Sequence, residues 1–90
     1  MNEEIISNMR KLIIDVFVEQ NCLPIQNLYL HSKFDTLNEL EKEALEKALL
    51  GLSTEGILEV FIQKTSIPLK VLHVSLTKKG EEYVTQAKYY

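Results

Sequence analysis

Ninety residues, 46% hydrophobic and 26% charged, suffice for one small domain with a single core, which excludes both a disordered polar chain and a second domain. A formal net charge of -3 makes the whole molecule repel polyanions at long range, which removes the simplest argument for nucleic-acid binding. The lone Cys22 has no internal disulfide partner, no apolar run approaches the roughly 20 residues that span a bilayer, and the start is acidic, so a cytoplasmic protein is expected.

Residues 3–20 predict the first helix. Ile5, Ile6, Met9, Leu12, Ile13, Val16 and Phe17 recur at helical spacing, while Glu4, Arg10, Lys11, Asp15 and Glu19 lie mostly on the other side. Glu3 and Glu4 suit the positive end of the helix dipole, and Asn21 is a plausible stop. The apolar stripe is wide enough for a core, with part of it available to a second copy. Residues 23–33 form a short second element. Pro24 fits a first helical position, with Ile25, Leu28 and Tyr29 as a small apolar face; a β-strand near residues 23–25 is the competing assignment. Residues 32–36 connect onward, polar except for Phe34.

Thr36 and Glu39 have capping-box spacing, which starts a third helix at Leu37 and carries it to about Glu55. Leu37, Leu40, Ala44, Leu45, Ala48, Leu49 and Leu52 share one half of its surface, and Glu41 falls in that half near the exposed N-terminal end. Glu39, Glu43, Glu46 and Leu50 lie opposite, flanked by Lys42 and Lys47. Gly56 can take the left-handed conformation that closes a helix. The period then changes from 3.6 to 2: Leu58, Val60 and Ile62 alternate with Glu59, Phe61 and Gln63.

Residues 58–64 and 70–76 predict an antiparallel hairpin whose connection holds Ile67, Pro68 and Leu69. Leu72, Val74 and Leu76 should face inward, with Val71, His73 and Ser75 outward. Thr77 caps a last helix to about Lys88, and Tyr83 and Val84 pack back on the body.

Two segments carry a family resemblance. Residues 44–60, ALEKALLGLSTEGILEV, resemble the passage from third helix through glycine to apolar strand in winged helix-turn-helix domains. Residues 76–84, LTKKGEEYV, are similar to the Leu-Thr-x-x-Gly-x-x-Tyr/Phe segment that ends the wing in many small bacterial transcription regulators. The resemblance implies a mostly helical α+β fold of three helices, a β-hairpin wing and a short C-terminal helix, covering almost the whole chain. Its DNA-binding members insert the third helix in the major groove and touch the flanking backbone with the wing. By position, that nominates Lys42 and Lys47 on the helix and Lys64 and Lys70 at the wing as phosphate contacts, on a protein that works as a dimer.

The third helix departs from that pattern. Residues 37–55 hold five acids (Glu39, Glu41, Glu43, Glu46, Glu55) against Lys42 and Lys47, with no arginine to read guanine. Residues 56–80 lean the other way, with Lys64, Lys70, Lys78 and Lys79 against Glu59. Lysines on an exposed hairpin also blunt sheet-to-sheet aggregation, so they fit either role.

Winged helices also serve protein contacts. The alternative is therefore an interaction module without DNA affinity, using Glu43, Glu46, Leu50, Ile67 and Leu69, with Phe61, Val71 and His73 adding to the outer face of the hairpin. The resemblance ranks the regulator first; electrostatics alone reverse the order. Cys22, His31 and His73 lack metal-ligand spacing, and no nucleophile-base pair or phosphate-cradling glycine loop stands out. A non-enzyme is expected, with no metal, cofactor, small-molecule ligand or membrane partner.

Overall fold

A computed structural model describes residues 3–64 and 70–88. It is a mostly helical α+β arrangement in the order α1 (Glu3–Glu19), a 3-10 turn (Leu28–Leu30), α2 (Glu39–Thr54), β1 (Leu58–Lys64), β2 (Lys70–Leu76) and α3 (Lys78–Lys88). Three helices and one antiparallel hairpin in this order are compatible with a winged-helix-like arrangement. Among the described residues no helix is long and apolar enough to cross a membrane.

The first helix buries Met9, Ile13, Val16 and Phe17 and half-buries Ile5, Ile6 and Leu12. Its stripe is thus largely consumed by this chain's own core. Asn21 ends it in the left-handed region at φ 54°, where the short polar side chain is tolerated. The Cys22 amide donates to the Phe17 carbonyl at 2.9 Å and the Asn21 amide to Val18 at 3.4 Å, which closes the helix as a Schellman turn.

The second element is not an α-helix. Ile25 makes an isolated antiparallel bridge to Val74, with both amides donating across it at 2.8 and 2.9 Å. Only Leu28–Leu30 then coil, capped by the Asn27 side chain, which accepts from the Tyr29 amide. The strand alternative near residue 25 is the better of the two expectations. Leu28, from the small apolar face of this segment, is fully buried, and so is Phe34, the one apolar residue of the connection that follows.

Helix α2 starts two residues later than its first candidate box implies. Asn38 is the N-cap: its side chain accepts from the Glu41 amide at 2.8 Å, and the Glu41 carboxylate accepts from the Asn38 amide at 3.1 Å. Two boxes of the same spacing overlap in the sequence. Asn38 wins as an extended residue that lets Leu37 half-bury against the core before the helix begins. Ala44, Leu45, Ala48, Leu49 and Leu52 face inward as their spacing requires. Leu40 does not; it is 50% exposed in the first turn, at the rim of the apolar stripe.

The end of α2 is fixed by several independent bonds. Gly56 sits at φ 79°, its amide donates to Ser53 and the Ile57 amide donates to Leu52, again a Schellman turn. Ile57 is buried in the same turn as Leu52, a core residue hidden between glycine and strand in the sequence. Lys79 donates to the Glu55 carbonyl at 2.9 Å. The Thr77 amide donates to the Ile57 carbonyl, and the Thr77 hydroxyl lies within reach of both the Gly56 and Ile57 carbonyls. One hydroxyl carries one proton, and the closer Gly56 oxygen takes it. The same hydroxyl accepts from the Gly80 amide at 3.0 Å and so caps α3, as expected. Gly80 is buried, and a Cβ there would lie 2.0 Å from the Ile57 carbonyl oxygen. The glycine of the LTKKG segment therefore lets α3 approach the α2–β1 turn. Val84 packs inward from α3, whereas Tyr83 is exposed.

Candidate interaction groove

The hairpin register is continuous from Leu58 opposite Leu76 to Lys64 opposite Lys70. Its inner-face residues do not share one fate. Along β1, Leu58 is 2% exposed, Val60 half-buried and Ile62 59% exposed, so β1 leaves the body as it runs away from the Gly56 turn. On β2 the partners of Val60 and Ile62, Val74 and Leu72, are both buried. The asymmetry follows from sheet order. Beyond β2 lie Ile25 and the 3-10 turn, while among the described residues no strand pairs with the outer edge of β1. The expectation that Ile62 faces the core is corrected accordingly: it points to the core side of the sheet where the core has ended.

The opening between α2 and the hairpin is a groove of about 330 Å³, large enough for a few side chains. Leu49 and Leu50 from α2 and Val60, Ile62 and Leu72 from the sheet form its apolar wall. Glu46 and Ser53 stand at its polar side. Leu50 is 68% exposed, in agreement with its place on the outer half of α2. Full burial of a leucine or isoleucine is worth about 1.5–3 kcal/mol, so leaving two of them mostly in water forgoes a sizeable stabilisation. Single exposed leucines are ordinary; two beside a shared apolar concavity are not.

Glu46 is half-buried and takes part in the fold. The Tyr29 hydroxyl donates to its carboxylate at 2.9 Å, tying the 3-10 turn to α2. Burial, then the hydrogen bond to Glu46 and its negative charge, push the Tyr29 phenol well above its ordinary value. Glu41 is occupied by its capping box, and Glu55 by a two-pronged ion pair with Arg10 of α1. The bond from Arg10 holds the Glu55 carboxyl below the usual carboxylate range, and the same contact raises Arg10. Three of the five acids near this helix are thus placed by structural roles that a charge count does not reveal.

The other nominated residues do not converge on one place. Glu43 and Lys47 are exposed on the outer face of α2, and Lys42 lies 3.9 Å from Glu39. Lys64 and Lys70 oppose each other on the last rung of the ladder; their side chains lie outside the described ones. Ile67, Pro68 and Leu69 also lie outside the described residues. Phe61 and His73 oppose each other on the outer sheet face, with ring centroids 6.1 Å apart. Sequence reasoning missed Ile62 and Leu40 as exposed residues. Periodicity assigns a residue to a face, but the extent of the neighbouring element decides whether that face is covered.

Among the described residues no group of three His, Cys, Asp or Glu side chains could hold a metal ion. Comparisons with protein-family models, with curated proteins and with solved structures find no match for this chain.

Proposed function

We propose that this protein is a non-enzymatic interaction module of winged-helix type, binding a protein partner through the groove between α2 and β1. The observation that carries this reading is the apolar wall on which Leu50 and Ile62 remain 68% and 59% exposed. In a winged-helix reading α2 would be the recognition helix, yet its outward residues include Leu40, Glu43 and Leu50, which suit a protein surface better than a phosphate backbone. A photoreactive residue at exposed Ser53, on the groove rim, tests it. Irradiation should give a discrete protein adduct that excess wild-type protein suppresses and the Leu50→Asp variant does not. An adduct suppressed equally by both proteins would remove the groove from the account.

A second reading, a DNA-binding transcription regulator, draws on one observation: Lys64 and Lys70 share the final rung of the hairpin, the position of a wing tip. Exposed Lys47 and partly exposed Lys42 would add phosphate contacts from α2. Fluorescence anisotropy of labelled random-sequence duplex decides between the readings. The interaction module should give a flat curve at physiological salt. Micromolar binding that weakens steeply with salt, and that Lys64→Glu with Lys70→Glu abolishes, would install the regulator instead.

A further inference from the structure

The outer edge of β1 carries the reading one step further. β1 is bonded to β2 on one side, and Ile25 meets the far side of β2, so the described sheet ends at β1. Alternate peptide groups of an edge strand point away from its sheet and template another chain. Folded proteins blunt such edges with proline, a bulge, inward charge or a covering loop. β1 contains no proline, its register with β2 is one-to-one, and its charges are confined to Glu59 near one end and Lys64 at the other. Phe61 on one face and Ile62 on the other are each 59% exposed. An edge apolar on both faces at one place suits an extended chain lying beside it.

We propose that this chain is a second copy of the protein. Two β1 strands pair antiparallel about a two-fold axis at Phe61 and join the hairpins into one four-stranded sheet. The proposal rests on the reading of this region as an interaction surface and names the partner of the β1 edge beside the groove. Its warrant is self-complementarity. About Phe61, the pairing sets Phe61 against Phe61, Val60 against Ile62 and Glu59 against Gln63, so no like charges meet. Moving the axis to Val60 sets Glu59 against Phe61, and moving it to Ile62 sets Phe61 against Gln63. Of these three, the Phe61 axis alone matches apolar with apolar on both faces at the centre of the pairing, and it leaves Leu58 against Lys64 at the ends.

The assembly also closes. The two-fold pairing uses up both β1 edges, and each β2, now an outer strand, is bridged at Val74 by its own Ile25, so β1-to-β1 pairing stops at two copies. Both α2 helices fall on the same face of the joined sheet, and the Leu50–Ile62 walls lie on either side of the new pairing. A ladder this short buries less than the roughly 800 Å² per partner of a standard interface, so the dimer is weak and forms only at high protein concentration. Each copy carries -3, so added salt should strengthen association, the reverse of its effect on DNA binding.

Sedimentation velocity from low to several hundred micromolar should show monomer passing to dimer and nothing larger. Phe61→Lys sets two lysines against each other on the axis and should weaken the dimer more than about tenfold. Its thermal melt at low micromolar concentration should match wild type, because Phe61 is already largely exposed. In the wild-type protein, β1 amide exchange should slow as concentration rises, a readout that does not depend on the variant folding. A single monomer mass at every concentration, a dimer indifferent to Phe61→Lys, or β1 amides that exchange equally fast at all concentrations would overturn the proposal. A monomer that still gives the Ser53 adduct would overturn the second copy and leave the interaction module standing.

Discussion

The α2–β1–α3 junction and the groove above it lie within a few residues of each other, yet they are built by opposite rules. At the junction the polar groups are matched: two amides close the helix on Ser53 and Leu52, Thr77 both donates and accepts, and Lys79 takes the Glu55 carbonyl. Gly80 is there because no side chain fits. In the groove one wall is apolar, with Leu50 and Ile62 mostly in water. The junction is specified for folding alone. The groove carries apolar surface that folding does not use, which is the physical sign of a surface kept for something else.

Replacing the junction glycine should break that comparison most sharply. Gly80→Ala forces a Cβ to within 2.0 Å of the Ile57 oxygen, and neither the helix nor the turn can yield without losing the Thr77 cap. The expected loss is about 3 kcal/mol, which lowers Tm by about 12–24 °C in a domain of this size. A calorimetric melt within a few degrees of wild type would show that α3 shifts freely, and the junction would then be less tightly determined than its bonding indicates.

How much of this contrast was legible beforehand follows the range of the interaction. Gly56, Thr77 and the hairpin bounds were readable because turn and cap chemistry acts over three or four residues. Leu50 was readable for the same reason, from its angle on α2. Helix α2's start was ambiguous because Thr36–Glu39 and Asn38–Glu41 satisfy one spacing rule, and only the burial of Leu37 separates them. Ile25 is bonded to a strand nearly fifty residues away, so no local period could place it. Ile62 was assigned to the correct face and the wrong environment, since its exposure depends on β1 being the outer strand. Glu46 read as a solvated acid because its partner Tyr29 comes from another element.

Substitution in the groove should do far less to the fold than substitution at the junction. Leu50→Ser removes a side chain whose burial is slight, so at low micromolar concentration the expected change in stability is within about 0.5 kcal/mol. Urea melts of Leu50→Ser and Gly80→Ala measured side by side test the division directly. A loss in Leu50→Ser comparable to that in Gly80→Ala would make the groove wall part of the folding core, and its exposed apolar surface would need no partner to explain it.

The smallest effect concerns the outer clasp of the junction, the Arg10–Glu55 pair, and it has a defined sign. Glu55 is depressed chiefly by the Arg10 hydrogen bond, with the charges of Arg10 and Lys79 adding. A carboxyl with a lower pKa in the folded state contributes stability above its unfolded value, near 4.5, and loses it as pH falls through the folded value. Glu55→Gln should therefore be slightly less stable than wild type near neutral pH, with the difference closing on acidification below about pH 4. Because the pair is exposed, salt should close the same gap at neutral pH. Thermal melts of both proteins across pH and salt read this out. A gap independent of both would mean that the Glu55 side chain acts through packing, and the ion pair would drop out of what holds α1 to the end of α2.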